Sequence, residues 1–484
     1  MRLRPRTGGA PEGRPLILPL RGAAPPPFAE AAAAAGFDAA KGEALRLFLP
    51  REAVLVGCGD GSPAALLRAG AAGLRALWPQ DRAAPERVAM DVRGFAPADA
   101  ALLAEGALIA AWTPPVPRAE PWPSPPRRLD LLCGEEEEAL RPALEAAEAV
   151  AEGVRLARDL VALPGNLLPP RAFADRLAAL EEADLAVEVI GPKRLARMGA
   201  GGLCAVGGAA TSGPYLVTLR WRGSIPADPV VFVGKGITFD TGGVCVKPAK
   251  GMEEMRADMA GAAAAAGAML ALARRRSPAP AAAVLAIAEN ALGAASCRPG
   301  DVLRMLDGRS VEVVDTDAEG RLVLADALAH ARRVLRPAAM VTLATLTGSV
   351  VVALGHHRAG LFGSDPPLMA ALAAAGEATG ERLWPLPIGE RHRRDLDSDI
   401  ADLRHCVPAG KGEGWGGRFL PDACHAAAFL REFAGDVPWG HLDIAGVESL
   451  AQAGPFGPKG MPSGFGVRLL ERLVARHFED PHRL

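Results

Sequence analysis

The sequence concentrates its chemistry-bearing side chains in two stretches, VGKGITFDTGGVCVKPAKGMEEMRADMAG from Val233 and DTDAEGRL from Asp315. Lys235 directly follows the apolar run PVVFVG. Asp240 comes five residues later, before the turn Thr241-Gly242-Gly243. Lys247 ends a second short apolar segment, and Asp258 leads into a run of Gly and Ala. In the second stretch Asp315, Asp317, Glu319 and Arg321 alternate, and an extended segment would project all four to one face. Taken singly each residue has an ordinary reading. Acids between a strand and a helix serve as caps and turn residues, and a lysine at a strand end snorkels to solvent. Taken together they place several carboxylates at one sheet edge, where they repel unless cations sit between them.

Two divalent ions balance the charge of Asp240, Asp258, Asp317 and Glu319. Adjacent cations lower a lysine pKa, so Lys235 can serve as a neutral nitrogen ligand, which arginine cannot do. Lys247 and Arg321 remain as spare cations, suited to polarising a carbonyl, stabilising an oxyanion or holding an anionic base. Two ions bridged by carboxylates can activate a water and clamp a tetrahedral intermediate. Composition sharpens this reading. The chain has only seven Lys among 54 basic residues, yet three fall in the 16 residues 235–250, where even scatter would put fewer than one. All nine His lie at or after His330, which excludes a histidine-centred zinc site or a Ser-His-Asp triad from the first 329 residues. Lys250 is assigned no role.

The elements that must position these groups read as α/β. Val187–Ile190, Leu216–Trp221, Val230–Val233, Val284–Ala288 and Met340–Ala344 are predicted strands. Met252–Arg275, Leu322–Leu335, Pro367–Ala375 and Asp422–Phe433 are predicted helices. Apolar strands alternating with helices predict a central, mostly parallel or mixed sheet sandwiched by helices, with ligands at the carboxyl ends of its strands. A smaller α/β domain is expected before it, with short strand-like or helical pieces at Leu16–Leu20, Ala53–Val56, Val88–Val92 and Ala107–Ala111. The expected bounds are 1–134 for this variable domain, 135–163 for a connecting helix and 164–484 for the catalytic domain. Thr113–Arg128, with seven Pro in 16 residues, reads as an extended connector. GCGDGS at Gly57–Ser62 completes no phosphate-loop pattern, so no nucleotide site is expected there.

The blocks VGKGITFDTGG, RADMAG and TDAEGRL closely resemble the leucyl aminopeptidase (cytosol aminopeptidase) family, with weaker echoes such as TLATLTGS at Thr342 and HLDIAG at His441. The resemblance covers roughly residues 166–476. It implies a metal-dependent aminopeptidase that releases N-terminal residues, leucine-type by preference, from peptides with a free N-terminus. By resemblance Lys235, Asp240, Asp258 and Glu319 bind one metal. Asp240, Asp317 (also through its carbonyl) and Glu319 bind the other. Lys247 and Arg321 form the catalytic pair, the arginine holding a bicarbonate as base. Met255, Thr345, Leu346 and Gly348 match substrate-lining positions. The implied ions are Mn²⁺ or Zn²⁺, with Co²⁺ or Mg²⁺ also admissible, and the implied assembly is a homohexamer. The sequence departs from the family where Asp315 replaces an Asn, and in CVPAGKGEGWGGRFLPDAC, which replaces a plainer Gly- and Ala-rich link.

The rivals are a two-metal phosphoesterase, disfavoured because the motif region has no His, and a nucleic-acid-binding or scaffold homologue with vestigial activity. With 54 basic and 56 acidic residues the formal charge is −2, which disfavours a protein built to coat nucleic acid or an anionic membrane. No transmembrane helix or signal peptide is expected, and seven scattered Cys indicate neither a disulfide framework nor a cysteine zinc site. The expected location is cytoplasmic.

Overall fold

A computed structural model describes residues 1–9, 13–48, 52–78, 84–408 and 421–480. The chain forms two compact units. One comprises Met1–Arg155 with Ala378–Gly380 and Gln452–Met461, and the other takes the remainder.

The first unit is built on a six-stranded sheet in the order Arg2–Arg6, Arg128–Leu132, Arg87–Asp91, Leu16–Leu20, Ala53–Gly57, Ala44–Leu47. Only the last strand runs antiparallel to its neighbour. Residues 107–110 belong to the helix Pro97–Ala110 and are no strand. Pro97 opens that helix, where its missing N–H costs nothing, and Asp99 in the first turn suits the positive helix start. Most of the Pro-rich stretch after Thr113 forms no regular element, as expected where proline removes backbone donors; Arg128 opens a strand. Residues 58–62 join the strand Ala53–Gly57 to the helix Pro63–Leu77, with Pro63 at its first position.

The second unit holds an eight-stranded mixed sheet. Its order is Leu383–Pro385, Ala359–Gly363, Trp439–Asp443, Ala339–Ala344, Val230–Asp240, Ala281–Asn290, Tyr215–Trp221, Ala186–Ile190. The four central strands, from Trp439–Asp443 to Ala281–Asn290, are mutually parallel, and each edge of this block meets its flanking strand antiparallel. Parallel central strands are covered on both faces, which is why they read as unbroken apolar runs. Val231, Val233 and Ile237 pack in one core with Leu322–Leu328 of the helix Glu319–Leu335 and Ala427–Phe433 of the helix Asp422–Ala434. The opposite face meets the helix Ala260–Arg274, buried from Ala260 to Ala273. Its Gly and Ala content permits a very close approach: a Cβ on Gly261 would lie 2.1 Å from the Leu343 carbonyl oxygen.

The expected continuous helix from Met252 is corrected by the structure. A 3-10 helix, Met252–Ala257, ends before Asp258, and the α-helix starts at Ala260. A short strand, Ser310–Glu312, precedes the second motif and belongs to a separate small three-stranded sheet.

Candidate metal centre

The central strand Val230–Asp240 carries both Lys235 and Asp240. In a regular strand residues five apart point to opposite faces. Here the pairing with Ala281–Asn290 slips: Ala288 pairs with Ile237, but Asn290 pairs with Asp240. The extra residue is a β-bulge, and it turns Asp240 to the face that Lys235 already occupies. Beyond it the chain reverses at Gly242 and Gly243, whose φ angles of +86° and +65° suit glycine. The Gly242 N–H donates to Asp240 Oδ1 at 2.9 Å.

Two linked ion-pair groups result. Lys235 Nζ lies 2.8 Å from Asp258 Oδ1, 2.8 Å from Glu319 Oε1 and 2.9 Å from the Thr345 carbonyl oxygen. Lys247 Nζ lies 2.8 Å from Asp240 Oδ2 and 2.5 Å from Asp317 Oδ1. Oxygens of Asp240, Asp317 and Glu319 come within 4.8 Å of one another, close enough to hold a common ion. Lys235, Asp240, Asp258 and Glu319 are all buried.

Four carboxylates thus face two ammonium groups, and the electrostatics record the deficit of cations. Burial pushes the Glu319 carboxyl up to about 8, with Asp240 adding to the rise and Lys235 opposing it. Burial likewise lifts Asp258 to about 6, against the pull of Lys235. Asp317 is raised, by burial first and by the Asp240 and Asp315 charges. Burial pulls the Lys235 pKa down, but Asp258, Glu319 and Asp240 outweigh it and hold an ammonium. The neutral amine needed for ligation is therefore accessible only once other cations neutralise these carboxylates. Asp258 Oδ2 and Glu319 Oε2 are buried without any hydrogen-bond partner. Such orphaned anionic oxygens are costly unless something binds them. The donor set of hard oxygens plus one amine fits divalent cations.

The structure brings Lys235, Asp240, Asp258, Asp317, Glu319 and Lys247 together, but it corrects the alternating reading of Asp315–Arg321. The segment turns, with Ala318 N donating to the Asp315 carbonyl, and the helix starts at Glu319 rather than Leu322. Residues two apart on a helix diverge. Glu319 faces Lys235, while the buried Arg321 points to the His405 carbonyl at 3.1 Å and to Asp422 Oδ1 and Oδ2 at 2.8 and 3.0 Å. Asp315 serves the turn, accepting from the Asp317 N–H at 2.9 Å. Thr345, Leu346 and Gly348 follow the strand Ala339–Ala344, and Gly348 opens the next helix. Met255 lies on the 3-10 helix, and its carbonyl accepts from the Asp258 N–H.

Several supporting contacts go beyond the roles read from the sequence. Asn290 donates through Nδ2 to Asp240 Oδ1 at 2.7 Å and to the Thr316 carbonyl at 3.0 Å. The Thr345 hydroxyl donates to Asp258 Oδ1 at 2.7 Å. Asp443, at the end of its strand, accepts from the Leu346 N–H and the Thr347 hydroxyl, fixing the loop that touches Lys235. Asp422 was legible only as part of an unusual link, of which residues 409–420 lie outside the described residues. Among the described residues no histidine joins the cluster. His356 and His357 are exposed. His441 is buried in a strand against Thr342, and burial holds its pKa down to about 3, so it is neutral.

Comparison with known proteins identifies the family. Residues 155–471 match the catalytic domain of the cytosol aminopeptidase family. A Brucella ovis protein named "Probable cytosol aminopeptidase" is 42% identical over 350 residues, 72% of this chain and 68% of that one. One of the same name from Gluconobacter oxydans is 43% identical over 332 residues, 69% of this chain and 66% of that one. Among solved structures, the bottromycin maturation enzyme BotP in complex with Mn superposes with a TM-score of 0.83 at 34% identity, over 96% of this chain and 99% of that one. The chain belongs to the cytosol aminopeptidase family and is a metal-dependent hydrolase of the leucyl aminopeptidase type.

Proposed function

We propose that this chain removes N-terminal residues, leucine-type by preference, from peptides with a free N-terminus, using two divalent ions. The observation that supports it most is the cluster of four carboxylates around Lys235 and Lys247, with Asp258 Oδ2 and Glu319 Oε2 buried and unpartnered. Lys235, Asp240, Asp258 and Glu319 would hold one ion, and Asp240, Asp317 and Glu319 the other. When bound, the ions supply Lewis-acid polarisation and a water of lowered pKa. The chain's own groups do the rest. Lys247, partly exposed at the edge of the cluster, presents its ammonium to the scissile carbonyl oxygen. Thr345, Leu346 and Gly348 orient the substrate backbone, and Met255 lines the pocket for its first side chain. Asp443 holds that loop in place.

Mn²⁺ is the first choice of ion, because a solved relative is named as a Mn complex; Zn²⁺, Co²⁺ and Mg²⁺ suit the same donors. A homohexamer in the cytoplasm is the assembly and location proposed. Among the described residues no helix is long and apolar enough to cross a membrane. The test is hydrolysis of leucine p-nitroanilide by EDTA-treated protein to which each ion is restored. Lys247→Ala should lower kcat by ~10²-fold or more, as for loss of an oxyanion donor. Full activity in that variant overturns the assignment.

A further inference from the structure

Arg321 is 1% exposed, yet its partner Asp422 is 39% exposed. Both Asp422 oxygens rest on the same guanidinium nitrogen, and the His405 carbonyl fixes another. His405 is anchored in turn: its Nε2 donates to the Asp315 carbonyl at 2.7 Å and its Nδ1 accepts from the Val314 N–H at 3.2 Å. Burial holds this imidazole down to about 4, so it stays neutral and adds no cation beside Arg321.

The start of the helix Asp422–Ala434 is also tied to the start of the helix Gly348–Leu354. The Ala423 N–H donates to Ser349 Oγ at 2.8 Å. The loop leading into that helix begins at Thr345, whose carbonyl touches Lys235 and whose hydroxyl holds Asp258. Asp422 therefore sits between a buried arginine two residues from Glu319 and the start of the helix that follows the Thr345 loop. The cluster carboxylates contact Lys235 or Lys247, and Asp315 serves its own turn. Asp422 pairs instead with a guanidinium, which keeps its protons at working pH, and one side of it is open to water.

We propose that Asp422 is the proton acceptor of the hydrolysis, carried on Arg321, so that the chain supplies this anion itself and needs none from solution. As the water oxygen bonds to the scissile carbonyl carbon, one water proton passes to Asp422. As the C–N bond breaks, that proton goes to the departing amine nitrogen and the carboxylate is restored. The other water proton leaves with the new carboxyl group.

The inference rests on the aminopeptidase reading, and its test separates the two. Full-length, Mn²⁺-loaded protein is assayed on leucine p-nitroanilide in bicarbonate-depleted buffer. Wild type is expected to be fully active, with kcat unmoved by added bicarbonate or formate. Asp422→Ala should lose ~10²–10⁴-fold in kcat, the range for general-base removal, with little change in KM. Formate should restore a large part of it. Asp422→Asn, whose amide fills the same space, should lose as much and gain nothing from formate. Titration with ¹³C-formate gives a readout without turnover: Asp422→Ala should show saturable binding and wild type none. Stimulation of wild type by bicarbonate overturns the proposal, and that arm needs no variant. Wild-type kcat in Asp422→Ala, or a natively folded Asp422→Ala that formate neither binds nor rescues, overturns it as well. A wild type inactive on every aminoacyl amide with every ion overturns the aminopeptidase reading, and this proposal with it.

Discussion

Gly320→Ala tests how tightly the site is built. A Cβ on Gly320 would lie 2.7 Å from Lys235 Cε and 2.8 Å from its Cδ and Nζ. Ordinary contacts begin near about 3.5 Å, so the lysine must move by most of an ångström. It has little freedom to do so, being buried with three oxygens within 2.9 Å of its nitrogen. In an open helix the exchange would gain about 1 kcal/mol from the better propensity of Ala. Here overpacking costs about 1–3 kcal/mol, so the net effect on stability is small or moderately unfavourable. The larger effect falls on the metal centre. Displacing a ligand or its support weakens metal affinity by ~10–100-fold. The assay is a Mn²⁺ titration followed by calorimetry and by activity, with a thermal melt as the folding control. Wild-type affinity and kcat in a folded Gly320→Ala protein would refute the placement of Lys235 against this helix start.

Other outcomes follow from the same geometry. Asp326 is fully buried and uses both oxygens, Oδ1 on the Leu306 N–H at 2.8 Å and Oδ2 on the Leu203 N–H at 2.9 Å. Asp326→Asn sets an amide N–H against one of these donors and should cost about 1–3 kcal/mol by denaturant melt, with metal stoichiometry unchanged. In the metal-free protein Glu319 and Asp258 titrate at about 8 and 6, above their ordinary 4.5 and 3.8, because burial disfavours their charged forms. A raised folded-state pKa gives stability that is present below the ordinary value and lost as pH rises through the folded one. Metal-free Tm should therefore fall between about pH 4 and 8, and the gain on adding Mn²⁺ should widen over the upper part of that window. Glu319→Gln should flatten the metal-free slope, and an unchanged slope would contradict the assignment of this burial cost to Glu319.

Much of the site was legible because its chemistry is local in sequence. Lys235, Asp240 and Lys247 stand within thirteen residues, and Asp317 and Glu319 are two apart, so one strand and one helix start deliver most of the charge. The fold class was legible for a similar reason: parallel strands buried on both faces give continuous apolar runs, as in Val230–Val233. What failed depended on backbone irregularities. The bulge before Asp240 reverses the side-chain parity that brings it beside Lys235, and no residue type announces it. The break at Asp258 interrupts a stretch with uniform helix propensity. The turn at Asp315–Ala318 separates Glu319 from Arg321, which alternation alone would have aligned. Asn290, Thr345 and Asp443 act through contacts 50 to 97 residues away in sequence, beyond any local pattern. Asp422 reaches Arg321 across 101 residues.

We propose that this carboxylate and lysine cluster holds two ions. Equilibrium dialysis against Mn²⁺, followed by elemental analysis of the protein, measures it directly. Two ions per chain are expected, with a fall to one in Asp317→Asn and none in the Asp240→Asn, Glu319→Gln double variant. Two ions retained by that double variant, or none held by the wild type, would contradict it.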